Sequence, residues 1–236
     1  ENLLTDHGPL IQLMKRVREE PGVKKEFLAS GVRYDLAERS PEFVRELALH
    51  HTGGQLSVAP EHASRAVLDK MKKPPVESYE RFETQFKCAT ASAGKQQFLV
   101  PYFISGHPGS TLKDMVELAL WLKARDMRPR QVQDFIPTPM SIATAMYHTG
   151  IDPLTRTPVH TAKDLHEKQL QKALIFYWDP TWHDLAREAL TKAGRRDLIG
   201  SAPRCLVPPA EGPGALPIHL RQRAGRVSSS SSRRRR

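Results

Sequence analysis

The residues best suited to hold a ligand sit where apolar runs end. Gln97-Phe98-Leu99-Val100-Pro101-Tyr102-Phe103-Ile104 is followed by Ser105-Gly106-His107-Pro108-Gly109-Ser110-Thr111. This reads as a buried strand, a tight Gly/Pro turn and a helix start. Such a turn sets bare backbone N–H groups and a helix N-terminus at the carboxyl end of a strand, where α/β proteins bind ligands. Gly106 and Gly109 permit positive φ or close approach of a ligand to the backbone. Two more runs close on polar groups, Ala29-Ser30-Gly31-Val32-Arg33-Tyr34-Asp35 and Val58-Ala59-Pro60-Glu61-His62. Three strand ends with polar termini suggest a barrel mouth that holds a cofactor.

The elements that position these ends follow from periodicity and punctuation. Leu10, Leu13, Met14 and Val17 have helical spacing over 9–20, and Pro21-Gly22 stops that helix. Residues 23–29 read as a short strand. Ser40-Pro41 is an N-cap followed by a proline at the first helical position, with Phe43, Val44 and Leu47 on one face. After Gly53-Gly54 a strand is expected at 56–59. Two helices follow, one from Ser64 and one from Pro74-Pro75 to Gly94. The strand at 97–104 leads into a helix whose Thr111 and Asp114 form a capping box. A strand at 132–136 ends at Pro137-Thr138-Pro139. Helices are expected at 161–177 and 181–193, as a helical cap.

Strands spaced by helices imply parallel pairing with right-handed crossovers. Apolar runs without strict alternation imply burial on both faces. Four strands do not close a barrel. The sheet is therefore either open, or completed by chain preceding Glu1.

The chain has 236 residues and a formal charge of +10. Residues 1–200 carry 28 Lys and Arg against 25 Asp and Glu, while 201–236 carry eight Arg against Glu211 alone. The basic character thus belongs mainly to the tail. Clustered arginine can neutralise phosphates, which would make the chain a nucleic-acid-associated protein. The preferred reading is a solvated low-complexity segment, because Ser228–Ser232 and Arg233–Arg236 have no interleaved aromatic residues on which bases could stack. Cys88 and Cys205 are too few for a disulfide framework and fit a reducing compartment such as the cytoplasm. No apolar run of about 18 residues is present, so neither a membrane span nor secretory export is expected.

Several motifs together resemble the radical SAM superfamily, and within it the YgiQ family. They are Thr5-Asp6-His7-Gly8-Pro9-Leu10-Ile11, Ala29 to Ala37, Val58 to His62, Val100 to Thr111, Val132 to Met140, Ala143 to Gly150 and Gly194 to Gly200. The resemblance covers roughly residues 3–208. It implies an α/β fold: a partial (β/α) barrel of radical SAM type, here with only its later strands. The barrel would occupy residues 1–150, a helical extension 151–207, and a disordered Pro/Gly/Ser/Arg-rich tail 208–236. The resemblance also implies a [4Fe–4S] cluster on a Cys-x3-Cys-x2-Cys loop and S-adenosylmethionine on the cluster, cleaved reductively to a hydrogen-abstracting 5′-deoxyadenosyl radical. This chain has no such cysteine loop. The expectation is a carboxyl-terminal portion, inactive alone, whose cluster ligands, electron donor and substrate belong to a longer parent protein. A redox-inactive module that binds S-adenosylmethionine or a nucleotide is the alternative.

Carried onto this sequence, the resemblance implies cofactor contacts for Arg33, Asp35, Glu61, Ser105, Gly106, His107, Gly109 and Ile136. Arg33 would clamp the cofactor carboxylate and Glu61 its ribose or amino group. The 105–109 turn would lie near adenine, with Phe135, Ile136 and Pro137 as a wall. Each has a plainer alternative. Arg33 and Asp35 would form a local pair, Glu61 would cap the helix near Ser64, 106–109 would be a simple turn, His107 would be structural, and Ile136 would be core. No catalytic residue is singled out. His50, His51 and His62 lack the Cys or carboxylate spacing that would support a metal.

Overall fold

The structure is a computed structural model that describes residues 5–210. The expectations for 211–236, the Ser/Arg tail among them, lie outside the described residues. Residues 208–210 are irregular and exposed. The fold is α/β, with a parallel sheet of three strands in the order β1 (Gln55–Glu61), β2 (Phe98–Ser105), β3 (Val132–Asp134). Gln55 pairs with Phe98 and Val58 with Pro101; the register then shifts, so that Glu61 faces Phe103. Phe103 faces Val132, and Ser105 faces Asp134.

The expected first strand at 23–29 does not form. Within it Val23 N–H donates to the Glu20 carbonyl and Leu28 N–H to the His51 carbonyl, and beyond it Val32 N–H donates to the Ser57 carbonyl. The isolated bridge of Val32 with Val58 is parallel. Lys24-Lys25-Glu26 interrupts the apolar run, and with little side-chain burial the ladder lacks the packing that stabilises strands. The strand expected to reach Ile136 stops at Asp134.

The chain separates into two compact units. The first holds residues up to Gly109 together with Gln131–Thr161. It contains the sheet, α1 (Gly8–Glu19), α2 (Tyr34–Ala37), α3 (Pro41–Glu46), α4 (Arg65–Met71), α5 (Val76–Ser92) and α7 (Ile142–Thr149). A π-helical stretch, Leu47–His51, continues α3. Ser40 caps α3 by accepting from Phe43 N–H, and Pro41 holds its first turn, as the sequence suggests. Leu56 and Val58 on β1 are buried, as are Tyr79, Phe82 and Phe86 on α5. The helix α7 is unanticipated. Ser141 caps it through Thr144 N–H, and Gly150 ends it in the left-handed conformation.

The second unit holds Ser110–Arg130 and the chain from Ala162. Its helices are α6 (Leu112–Ala124), α8 (Leu165–Ile175) and α9 (His183–Lys192), with short 3-10 turns at Pro180–Trp182 and Arg196–Leu198. The capping box of α6 is complete, with Thr111 and Asp114 each bonding the other's backbone N–H. Met115, Leu118, Ala119 and Leu122 form its buried stripe. Gln171 Nε2 donates to the Ser110 carbonyl, joining α8 to the start of α6.

Candidate cofactor site at the carboxyl edge of the sheet

Parallel strands end on one edge, and polar groups accumulate there. Glu61 closes β1 with φ at +68°, a left-handed conformation that a glutamate rarely adopts. Its carboxylate reaches Lys73 Nζ at 3.0 Å. Lys73 also donates to the Ala59 carbonyl at 2.6 Å. Glu61 therefore does not cap α4. His62 serves that turn instead, its Nδ1 accepting Ser64 N–H at 2.9 Å. His62 is fully buried.

A cavity of about 360 Å³ opens beside β1, lined by Gly31, Arg33, Tyr34, Asp35, Ala59 and Lys73 among others. Arg33 and Asp35 form a bidentate pair, Nε to Oδ1 at 2.8 Å and Nη2 to Oδ2 at 2.6 Å. The hydrogen bond from Arg33 is the main reason that the Asp35 carboxyl is held below its ordinary range. The Arg33 side chain is 66% exposed, so the pair is local, as the plainer reading has it. Tyr34 is 4% exposed, and its hydroxyl has no hydrogen-bond partner. Burial first, then the charge of Asp35, raises its ionisation well above the ordinary tyrosine value. The phenol stays neutral and remains a donor.

At the end of β2, Ser105 Oγ donates to Asp134 Oδ1 at 2.7 Å, and Phe135 N–H donates to the Ser105 carbonyl. Gly106 has φ at +71° and Gly109 at +93°. His107 is buried, its Nδ1–H donating to the Pro108 carbonyl at 2.8 Å, with Phe135 edge-on at 5.2 Å. Burial lowers the His107 pKa. Gly109 turns away from the edge, donating its N–H to the His160 carbonyl. Ile136 is 68% exposed and neither lines the cavity nor joins the core.

The structure thus gathers Arg33 and Asp35 around one cavity and ties Glu61 to it through Lys73. Ser105 ends β2, and Gly106 and His107 follow it on the same edge. Sequence reasoning passed over Tyr34, Lys73 and Asp134. Tyr34 lies between two chosen residues and Asp134 ends a quoted strand, so both were within reach of the strand-end argument. Lys73 had no signal, because it arrives from the far end of α4.

Lys70, on α4, donates to Asp152 Oδ2 at 2.9 Å, and Leu154 N–H reaches Oδ1 at 2.9 Å. The Asp152 side chain is only 2% exposed. The Lys70 bond first, then the backbone bond, hold this carboxyl far below the usual range. A depressed native pKa stabilises the fold above the unfolded pKa, roughly 4, and that contribution is lost as pH falls through the native value. Thermal unfolding of Lys70→Met against pH is expected to show a lower Tm at neutral pH and a shallower acid decline than the parent. Parallel curves would exclude the pair as the source of the decline.

A family model for a domain of unknown function, DUF3362, matches residues 130–235. A UPF0313 protein of Rhodopseudomonas palustris is 51% identical over 219 residues, which is 90% of this chain and 32% of the relative. The relatives of this chain are UPF0313 proteins. One from Pseudomonas aeruginosa is 51% identical over 213 residues, 88% of this chain and 28% of its own length. One from Methanosarcina acetivorans is 51% identical over 203 residues, 86% of this chain and 27% of its own. The chain spans about a third or less of the UPF0313 relatives it matches. Among the described residues no helix is long and apolar enough to cross a membrane.

Proposed function

We propose that this chain is the carboxyl-terminal part of a YgiQ-type radical SAM barrel, and that its sheet edge takes up S-adenosylmethionine. UPF0313 and YgiQ name the same family. The observation that carries the reading is the cavity beside β1, lined in part by Tyr34, whose buried hydroxyl has no hydrogen-bond partner. Its size lies within the range of small-molecule sites, about 300–1,000 Å³. An orphaned buried donor is costly unless a ligand accepts from it. S-adenosylmethionine carries a carboxylate, ribose oxygens and a cationic sulfonium centre. Tyr34 and Lys73 supply donors for the first two. Asp35, kept ionised by Arg33, supplies negative charge for the third.

When bound and reductively cleaved, this cofactor supplies radical chemistry. The residues here bind and orient; none is assigned a proton or electron transfer. Cys88 is exposed in one unit and Cys205 buried in the other, and two thiols do not make a three-cysteine cluster loop. The present residues therefore do not fit a [4Fe–4S] cluster, and any cluster ligands belong to other parts of a longer protein. Substrate and electron donor belong to that whole protein as well.

Equilibrium dialysis of the chain with labelled S-adenosylmethionine tests the reading. Saturable binding is expected, weakened about tenfold by Tyr34→Phe, the loss of one hydrogen bond to a charged group. Asp35→Asn should weaken it similarly. Absence of saturable binding, or indifference to both changes, removes the cavity from the proposal. Anaerobic reconstitution of the full-length protein, with iron counting and 5′-deoxyadenosine detection, then separates the enzyme from a redox-inactive binding module.

A further inference from the structure

The opposite, amino-terminal edge of the sheet carries a second cavity, of about 510 Å³. The segments entering β1 and β2 form its floor, Thr52-Gly53-Gly54 and Lys95-Gln96-Gln97. Arg18, Lys24, Lys25 and Lys95 line it, with Glu26 as the lining carboxylate. Glu26 Oε2 lies 2.8 Å from His51 Nδ1, without the geometry of a hydrogen bond. Arg18 is held by Glu46 at 2.8 Å, and Lys95 by the carbonyls of Ala48 and Leu49. Lys24 and Lys25 are exposed and have no ion pair among the described residues. A concave site with excess positive charge concentrates anions. His50, also in the lining, has a lowered pKa, first from burial and then from the charge of Arg18.

A second observation points to a ligand. Thr52 lines the cavity, is 4% exposed, and its Oγ1 has no hydrogen-bond partner. The Thr52 carbonyl is taken, by Gln97 Nε2 at 2.9 Å. A buried hydroxyl left unmatched on a residue that lines a cationic cavity is suited to an acceptor oxygen from a ligand. Gly54 turns beside it with φ at +115°, open on its Cβ side, so a ligand can approach the backbone there.

We infer that this amino-edge cavity is a binding site for a compact polyanion carrying two or more phosphoryl groups, held by Thr52, Lys24, Lys25 and Lys95. Lysine serves such groups as a point charge, and several cations in one cavity favour a condensed polyphosphate over a single carboxylate. The lining contains Phe27 and His50 but no row of aromatic faces, which disfavours stacked single-stranded bases.

Inorganic pyrophosphate is the probe, titrated into the whole chain by calorimetry and followed by amide shifts in NMR. Saturable binding is expected, with the largest shifts at Thr52, Gly53 and Gly54. Lys24→Ser with Lys25→Ser should weaken it at least about tenfold, by loss of two direct charges. Thr52→Val should weaken it severalfold without lowering the Tm of the free chain, because the hydroxyl satisfies no internal partner. The Arg-rich tail is common to all variants and cancels in the comparison. Shifts confined to residues 221–236, unchanged affinity in the double variant, or binding of a single-stranded RNA that pyrophosphate fails to displace would overturn the assignment.

Discussion

Gly109→Ala is expected to destabilise the sheet-bearing unit by about 2 kcal/mol or more, through strain from an L side chain at positive φ and crowding by its Cβ. The φ of Gly109 is +93°, outside the range that side chains readily adopt. An added Cβ would lie 3.0 Å from Lys70 Cγ and 3.5 Å from Lys70 Cβ. The contact with Lys70 Cβ is ordinary, so relief requires Lys70 Cγ to move, through rotation about its Cα–Cβ bond or a small shift of α4. Such a shift would pull Lys70 Nζ from Asp152 and leave a nearly buried carboxylate without its cation. Denaturant unfolding measures the loss, and the acid decline attributed to Asp152 should flatten with it. A variant as stable as the parent would show that Gly109 is replaceable and that the turn has slack. A loss of the expected size would show that this turn, from which Gly109 N–H reaches the His160 carbonyl, requires a glycine.

Much of the frame was legible because the sequence marks it locally. Pro41 and Ser40 announce α3, and Thr111 with Asp114 announces α6, each through a cap whose hydrogen bonds span three residues. The apolar runs of β1 and β2 and their polar ends were legible for the same reason. The stretch at 23–29 misled because its apolar residues are few and its flanking lysines are solvated. A strand there would need a ladder that only Leu28 and Val32 supply. α7 was hidden by a weakly amphipathic sequence, Ile142 to Thr149, whose decisive signals are a serine cap and a left-handed glycine. The binding geometry was half legible. Glu61 ends β1 as the sequence suggests, while Arg33 and Asp35 sit at the start of α2 with no strand before them, and the lysine that links Glu61 to the cavity comes from a helix terminus. Contacts of that kind arise from packing and leave no mark in spacing.

Phe82→Ala is expected to cost about 3–5 kcal/mol, the range for truncating a fully buried phenylalanine, against a total stability of roughly 5–15 kcal/mol. Phe82 has no exposed surface and stacks on Phe86 at 6.1 Å between ring centres. The consequence should extend to the candidate site, because α5 fixes α2. Tyr79, one turn before Phe82, meets Tyr34 edge-on at 5.8 Å. On the same helix Ser78 Oγ and Arg81 bind the Glu38 carboxylate at the end of α2, and Gln85 Nε2 donates to the Glu38 carbonyl. α2 is a single turn and has little stability of its own, so these contacts set where Tyr34 and Asp35 stand. A cavity at Phe82 loosens that anchorage. At temperatures where the variant remains folded, its S-adenosylmethionine affinity should fall further than Tyr34→Phe alone produces, with faster amide exchange across 34–38. Full retention of affinity in a destabilised Phe82→Ala protein would mean that α2 is held by its polar contacts to α5, independently of the aromatic core.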